Sequence, residues 1–388
     1  MNQVKAHLLH REFHLDEIYC DWVRRKEGNK RYPGSATAEI LIKGSANHKL
    51  GISPAELKTQ GIECFGRWGG KFDEHSPTTP DKCSADLVTE DLGMTNPAIG
   101  KVLEFVRKTD LGPSIHQLDI SSLVKLLHAV HRKDPIKVML WGREALDAKY
   151  WEEMIIREGG KVPSWKSTPN LVTELLEVPD GPALQSVMKF ARGDNHPYGL
   201  GRTAAAIKAM STNGLLRAVE WAKDALDAAY QDQLAFQQAQ EIVRNARWET
   251  LLCQSKEVSI VIACTDNRKF GAAARAAGAA VTIQRQPSGN VQIYPNQNAK
   301  QLGFRVNMRK VTAAIRLTEQ DFKFKGKLVT TDQTVLESEG MVPGAEEWYY
   351  TGEKGQFILN GSTTADNDPT NLDDNTIIEL VKKNVMVV

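Results

Sequence analysis

Residues 7–22, HLLHREFHLDEIYCDW, bring His10, His14 and Asp16 together in the spacing H-x-x-x-H-x-D, with Glu17 next. Neutral imidazoles and carboxylates are ligands for Mn²⁺, Fe²⁺ or Zn²⁺, and ions held this way polarise a phosphate and activate a water. Three residues supply only part of such a shell. The remaining ligands are expected from two turn-flanked polar spots: GGKFDEHSPTTP, with Asp73, Glu74 and His75 consecutive, and EFVRKTDLG, with Asp110.

The elements that must position these residues are legible around them. An apolar stretch from about Val4 to Leu9 precedes the motif and reads as a strand. The segment DEIYCDWVRRKEG has Ile18, Trp22 and Val23 at helical spacing, acids at its start, bases at its end and Gly28 as a stop, so a helix is expected to begin at the motif. A strand end followed by a helix start is where α/β enzymes place their chemistry. Further on, AEILIKG and GIECFGRWGG read as strand and turn material.

Composition bounds the rest. A chain of 388 residues is long for one core and favours two or three domains. Forty-nine Lys and Arg against 48 Asp and Glu leave a formal charge of +1, so an anionic ligand must be held locally. Five scattered cysteines without C-x-x-C spacing suggest reduced thiols and argue against a zinc cluster. No basic-then-apolar leader and no apolar run of about 20 residues is present, so the expectation is a cytoplasmic protein without a membrane partner.

From about Ser121 the chain turns rich in Ala, Leu, Glu, Lys and Gln and reads as mostly helical, with one long helix expected from about Asn213 to Cys253. Strand signals return at VSIVIAC, and AVTIQRQPSGNVQIYPN reads as a hairpin. The expected divisions are 1–135, an α/β core; 136–253, a helical extension and connector; and 254–388, a smaller α+β domain. The fold class is therefore α/β, with an N-terminal mostly parallel sheet flanked by helices.

The order H-x-x-x-H-x-D-E, then G-G-x-F-D-E-H, then SADLVTEDLG, then V-x-x-x-D-x-G resembles the DHH phosphoesterase superfamily. Within it the likeness is to the melanocyte-proliferating-gene family of metal-dependent nucleases, and it covers about the first 110 residues. The resemblance implies that His10 and His14 ligate one metal, and that Asp16 and Asp110 ligate a second. It implies a substrate-phosphate contact for His75 and an orienting role for Asp73. Two departures stand out. Glu74 occupies the place of a metal-binding histidine, and Arg67 or Trp68 the place of a bridging aspartate, for which Glu63 is the nearest acidic substitute.

Other candidates have two readings each. His128 and His131 form an H-x-x-H pair that is either a ligand pair or a solvated helix end, and His116 either supports the site or starts a helix. Thr265 to Asn267 sit between a strand and a helix, where open backbone N–H groups would hold an anion. Arg268, Lys269, Arg305, Arg309, Lys310, Arg316, Lys354 and the turn Asn360 to Ser362 either grip substrate or are surface residues. Tyr294, Trp348 and Tyr349 either stack on bases or pack in a core.

The resulting expectation is a metal-dependent phosphoester hydrolase acting on RNA ends, short oligonucleotides or nucleotides. Its cofactor would be one or two divalent ions, Mn²⁺ first and Mg²⁺ second. Single-stranded RNA or DNA is the expected macromolecular partner, and a homo-oligomer is left open. The alternatives are a degenerate member that binds nucleotide, nucleic acid or a protein without hydrolysis, and a one-metal enzyme.

Overall fold

The segment Ala6–His10 is buried along its whole length and forms β1, the central strand of a small sheet. The computed structural model describes residues 3–43, 52–74, 81–112, 115–162, 164–165, 168–192, 196–352, 355–361 and 368–388. After β1 come α1 (Leu15–Glu27), β2 (Glu39–Lys43), α2 (Pro54–Thr59), β3 (Ile62–Cys64), α3 (Ser84–Leu92) and α4 (Pro97–Leu111). The sheet order is β2-β1-β3 and both pairings are parallel, Leu8 lying opposite Leu41 on one side and Cys64 on the other. Burying each such aliphatic side chain contributes roughly 1.5–3 kcal/mol.

The helical region follows as α5 (Ile120–Val130), α6 (Pro135–Arg157), α7 (Thr168–Leu175), α8 (Pro182–Arg192), α9 (Leu200–Met210) and α10 (Gly214–Asn245). The chain divides into two compact units, Met1–Gln233 and Leu234–Val388, with α10 running through the boundary. The sequence suggested breaks near 135 and 253. No unit boundary falls at 135, because α6 packs directly on α1 and α4. Gly142 permits that approach, since a Cβ there would lie 2.6 Å from Ile18 Cδ1. Trp141 and Trp221 stack with ring centroids 4.4 Å apart, and each indole N–H donates to the other's carbonyl, which ties α6 to α10.

In the second unit α10 gives way to β4 (Arg247–Cys253), β5 (Lys256–Cys264), α11 (Phe270–Ala276), β6 (Val281–Arg285) and β7 (Val291–Pro295). Then come α12 (Ala299–Leu302), β8 (Val306–Asn307), α13 (Arg309–Phe324), α14 (Gln333–Leu336), β9 (Trp348–Tyr350), β10 (Ile358–Asn360), α15 (Asp374–Asn384) and β11 (Met386–Val387). The sheet runs β4-β5-β6-β7-β10-β9, with only β5 and β6 parallel, and β8 pairs separately with β11. Val258, Ile260 and Ile262 share a core with Ile315 and Val381, whereas Val261 packs with Val243 and Phe270, as strand alternation requires.

The expected helix to Cys253 is therefore wrong in its last turns. Arg247–Cys253 pairs antiparallel with β5 through a two-residue turn in which Gln254 and Ser255 have φ of 49° and 65°. That turn carries none of the Gly or Asn residues that usually announce it. The expected hairpin at 281–295 does form, and the chain as a whole is α/β. Among the described residues, no helix is long and apolar enough to cross a membrane.

Candidate metal centre

His10 ends β1 and His14 caps α1, so one short turn carries both imidazoles to the C-terminal edge of the parallel sheet. Phe13, fully buried between them, anchors that turn. The backbone N–H of His14 donates to Glu17 Oε2 at 2.6 Å, and the acids Asp16 and Glu17 sit in the first turn, where the helix dipole favours them. Glu17 Oε1 in turn lies 2.8 Å from His10 Nε2.

That contact orients the histidine. Burial alone would raise the Glu17 carboxyl, but the charge and hydrogen bond of His10, with help from His14, hold it well below the usual range. An ionised Glu17 accepts the Nε2 proton of His10 and leaves a lone pair on Nδ1, the carboxylate–histidine arrangement that presents an imidazole to a metal. His10 Nδ1 is buried and, among the described residues, makes no hydrogen bond; Asp16 Oδ1 is in the same condition, with the Asp16 residue 2% exposed. Ligand atoms of His14, Asp16 and Glu17 lie within 4.8 Å of one another.

Burial and the neighbouring carboxylates Glu17 and Asp110, with Glu74 beyond them, push the Asp16 carboxyl well above its ordinary value. Burial keeps His14 neutral, against the pull of Glu17 and with further depression by His10, Lys125 and Arg67. A pocket holding a neutral His14 and more carboxylates than it can ionise has a place for a further positive charge. A divalent cation would supply it, with the two orphaned buried atoms as bonds to it.

Several expected residues gather here. Asp110, near the end of α4, and Glu74, whose carboxylate takes a hydrogen bond from Ser84, both act electrostatically on Asp16. Asp73 Oδ2 accepts from Gly69 N–H at 2.6 Å and so braces the turn after β3. His75 lies outside the described residues. Lys125 was not expected at the site; Glu17 was read only as the residue after Asp16, and Arg67 as a departure in the place of a bridging aspartate. A cap three residues after His14 was the available signal for Glu17; the other two are brought in by tertiary folding. His128 had two readings, half of a ligand pair or a solvated helix end, and the structure buries it. It is 6% exposed, hydrogen-bonded through Nε2 to Phe13 O at 2.8 Å, and held neutral by burial, down to about 4.

Gly66 shapes the centre from the opposite side. It has φ +73°, and a Cβ built on it would lie 2.3 Å from Glu17 Oε1. Only glycine allows the turn to approach that carboxylate.

Glu63 does not replace a bridging acid. It stands opposite His7 on β3, 3.4 Å from Arg24 Nε and 3.9 Å from His7 Nε2. It belongs to a separate buried network in which Asp21 takes His7 at 2.7 Å, Arg25 at 2.9 Å and Arg143 at 3.1 Å. His116 lies just ahead of a helix: its N–H donates to Asp119, the cap of α5.

The second unit corrects several expectations. Three N–H groups after β5 are already taken, Thr265 by Arg285 O, Asn267 by Thr265 Oγ1 and Lys269 by Asn267 Oδ1. Arg316 is fully buried and donates to the carbonyls of Leu336, Ser338, Gly340 and Trp348, so it braces the fold. Trp348 is core, with its indole on Glu319, while Tyr349 is exposed. Arg268, Arg305 and Arg309 are exposed, on the β5–α11 loop, before β8 and at the start of α13. Lys354 and Ser362 lie outside the described residues.

No protein-family model matches the chain, and no curated protein matches it. Among solved structures it is similar to an uncharacterized protein from Helicobacter pylori G27, over 99% of both chains, at 11% identity and a TM-score of 0.22.

Proposed function

We propose that this chain is a divalent-metal-dependent phosphoester hydrolase related to the DHH phosphoesterases, acting on nucleotides, short oligonucleotides or RNA ends. The observation that carries the reading is the pair of buried, unpartnered atoms, His10 Nδ1 and Asp16 Oδ1, beside His14 in a pocket with excess carboxylate. His10, His14 and Asp16 are the proposed ligands, with Asp110 and Glu74 as further oxygen donors. Mn²⁺ suits the mixed nitrogen and oxygen set, and Mg²⁺ is the harder alternative. Once bound, the ion polarises a phosphate and acidifies a water.

The chain's own part is to place that water and phosphate. In hydrolysis the water oxygen bonds to phosphorus, the ester P–O bond breaks and the leaving alcohol takes up a proton. Glu17 keeps His10 in the metal-binding tautomer, and His75 is the proposed contact to the phosphate oxygens.

The test is cleavage of a labelled oligoribonucleotide with and without Mn²⁺. Mn²⁺-dependent release of nucleotide, lost in Asp16→Asn, supports the reading; no cleavage by Mn²⁺-loaded protein overturns it. One observation favours a second reading, a nucleotide-binding protein without hydrolysis: Arg67, a cation, stands close enough to His14 to depress it. Retained AMP binding without any cleavage is the result that reading expects.

A further inference from the structure

The turn after β3 continues the pairing with β1. Phe65 N–H donates to Leu8 O at 3.1 Å, and Gly66 N–H to Phe72 O at 3.0 Å. Arg67 therefore stands at the same sheet edge as His10. Its direction is set from both sides: Trp68, at φ 68°, packs its indole against Leu8, Leu57 and Cys64, while Asp73 holds Gly69. A bulky residue in the left-handed region costs about 1–3 kcal/mol and persists only when its surroundings dictate it.

What the turn presents is unusual. Arg67 Nε is buried and, among the described residues, makes no hydrogen bond. The residue before it, Gly66, lies against Glu17, where a Cβ would stand 2.3 Å from Oε1. A guanidinium carried by that turn repels a second divalent ion and attracts an anion, and its fork matches phosphate oxygens.

We infer that Arg67 fills the place of a second cation: the centre takes one divalent ion on His10, His14 and Asp16, and the Arg67 guanidinium receives the phosphate of a nucleotide. The inference rests on the metal-centre reading and specifies its stoichiometry and its anion contact. Calorimetric titration of the full chain with Mn²⁺, then with AMP in the presence of Mn²⁺, tests it. The wild type is expected to bind one Mn²⁺. Arg67→Gln is expected to keep that ion and its circular dichroism while losing roughly ten- to hundredfold in AMP affinity. Arg67→Lys is expected to lose less, and Arg67→Asp to gain a second ion. Two ions in the wild type, one ion in Arg67→Asp, or unchanged AMP binding in Arg67→Gln would overturn the inference while leaving the metal centre intact. No Mn²⁺ binding at all removes the metal centre and the inference with it.

Discussion

Glu17 is the residue on which the candidate centre turns, since one carboxylate accepts the cap N–H of His14 and the ring N–H of His10. Gly66 protects that carboxylate by having no side chain. Gly66→Ala is expected to cost about 1–3 kcal/mol from the left-handed backbone alone, and to weaken Mn²⁺ binding further by displacing Glu17. Urea unfolding and Mn²⁺ titration of the variant check both parts. His128 gives a pH signature. Its folded value, near 4, lies below the ordinary 6.5, so the unfolded chain takes up the proton first as pH falls. This contribution to stability is complete above about pH 6.5 and is lost toward pH 4. In His128→Gln the loss over that window is expected to shrink by up to about 3 kcal/mol, read from unfolding midpoints at several pH values.

At the scale of elements, β1 and α1 were legible because the proposed ligands are contiguous: a strand end, a cap and one helical turn carry His10, His14 and Asp16 together. Gly28 ends α1 as expected. The strand β4 was missed because its turn, Gln254-Ser255, adopts left-handed backbone without the residues that advertise it. Arg67, Lys125 and the burial of His128 were illegible for another reason, since each depends on which distant elements meet. The helical region holds a further buried pair, Lys149 with Glu152, each 1% exposed, where Lys149 also donates to Pro197 O and Arg202 to Glu152. Removing Glu152 strands the lysine, whereas removing Lys149 leaves Glu152 with Arg202. Glu152→Ala is therefore expected to cost about 3–5 kcal/mol, and Lys149→Met clearly less. Comparable losses in chemical denaturation would contradict that account.

Across the whole molecule, the sequence pattern conveyed the α/β class and the strand-rich character of the second unit. It placed a boundary at 135 because composition changes there, while packing joins α6 to α1 and keeps residues 1–233 in one unit. Basic residues in the second unit looked alike as letters. Burial separates Arg316, a brace on four carbonyls, from the exposed Arg268, Arg305 and Arg309. Charge balance at the level of the chain, +1 overall, conceals a first unit whose centre crowds Asp16 with other carboxylates. The most direct measurement is the Mn²⁺ content of the full chain after equilibration and gel filtration, beside His14→Ala and Asp16→Asn. The account expects bound Mn²⁺ in the wild type and its loss in both variants with the fold retained. A folded wild type that carries no Mn²⁺, or variants that carry as much as the wild type, would contradict it.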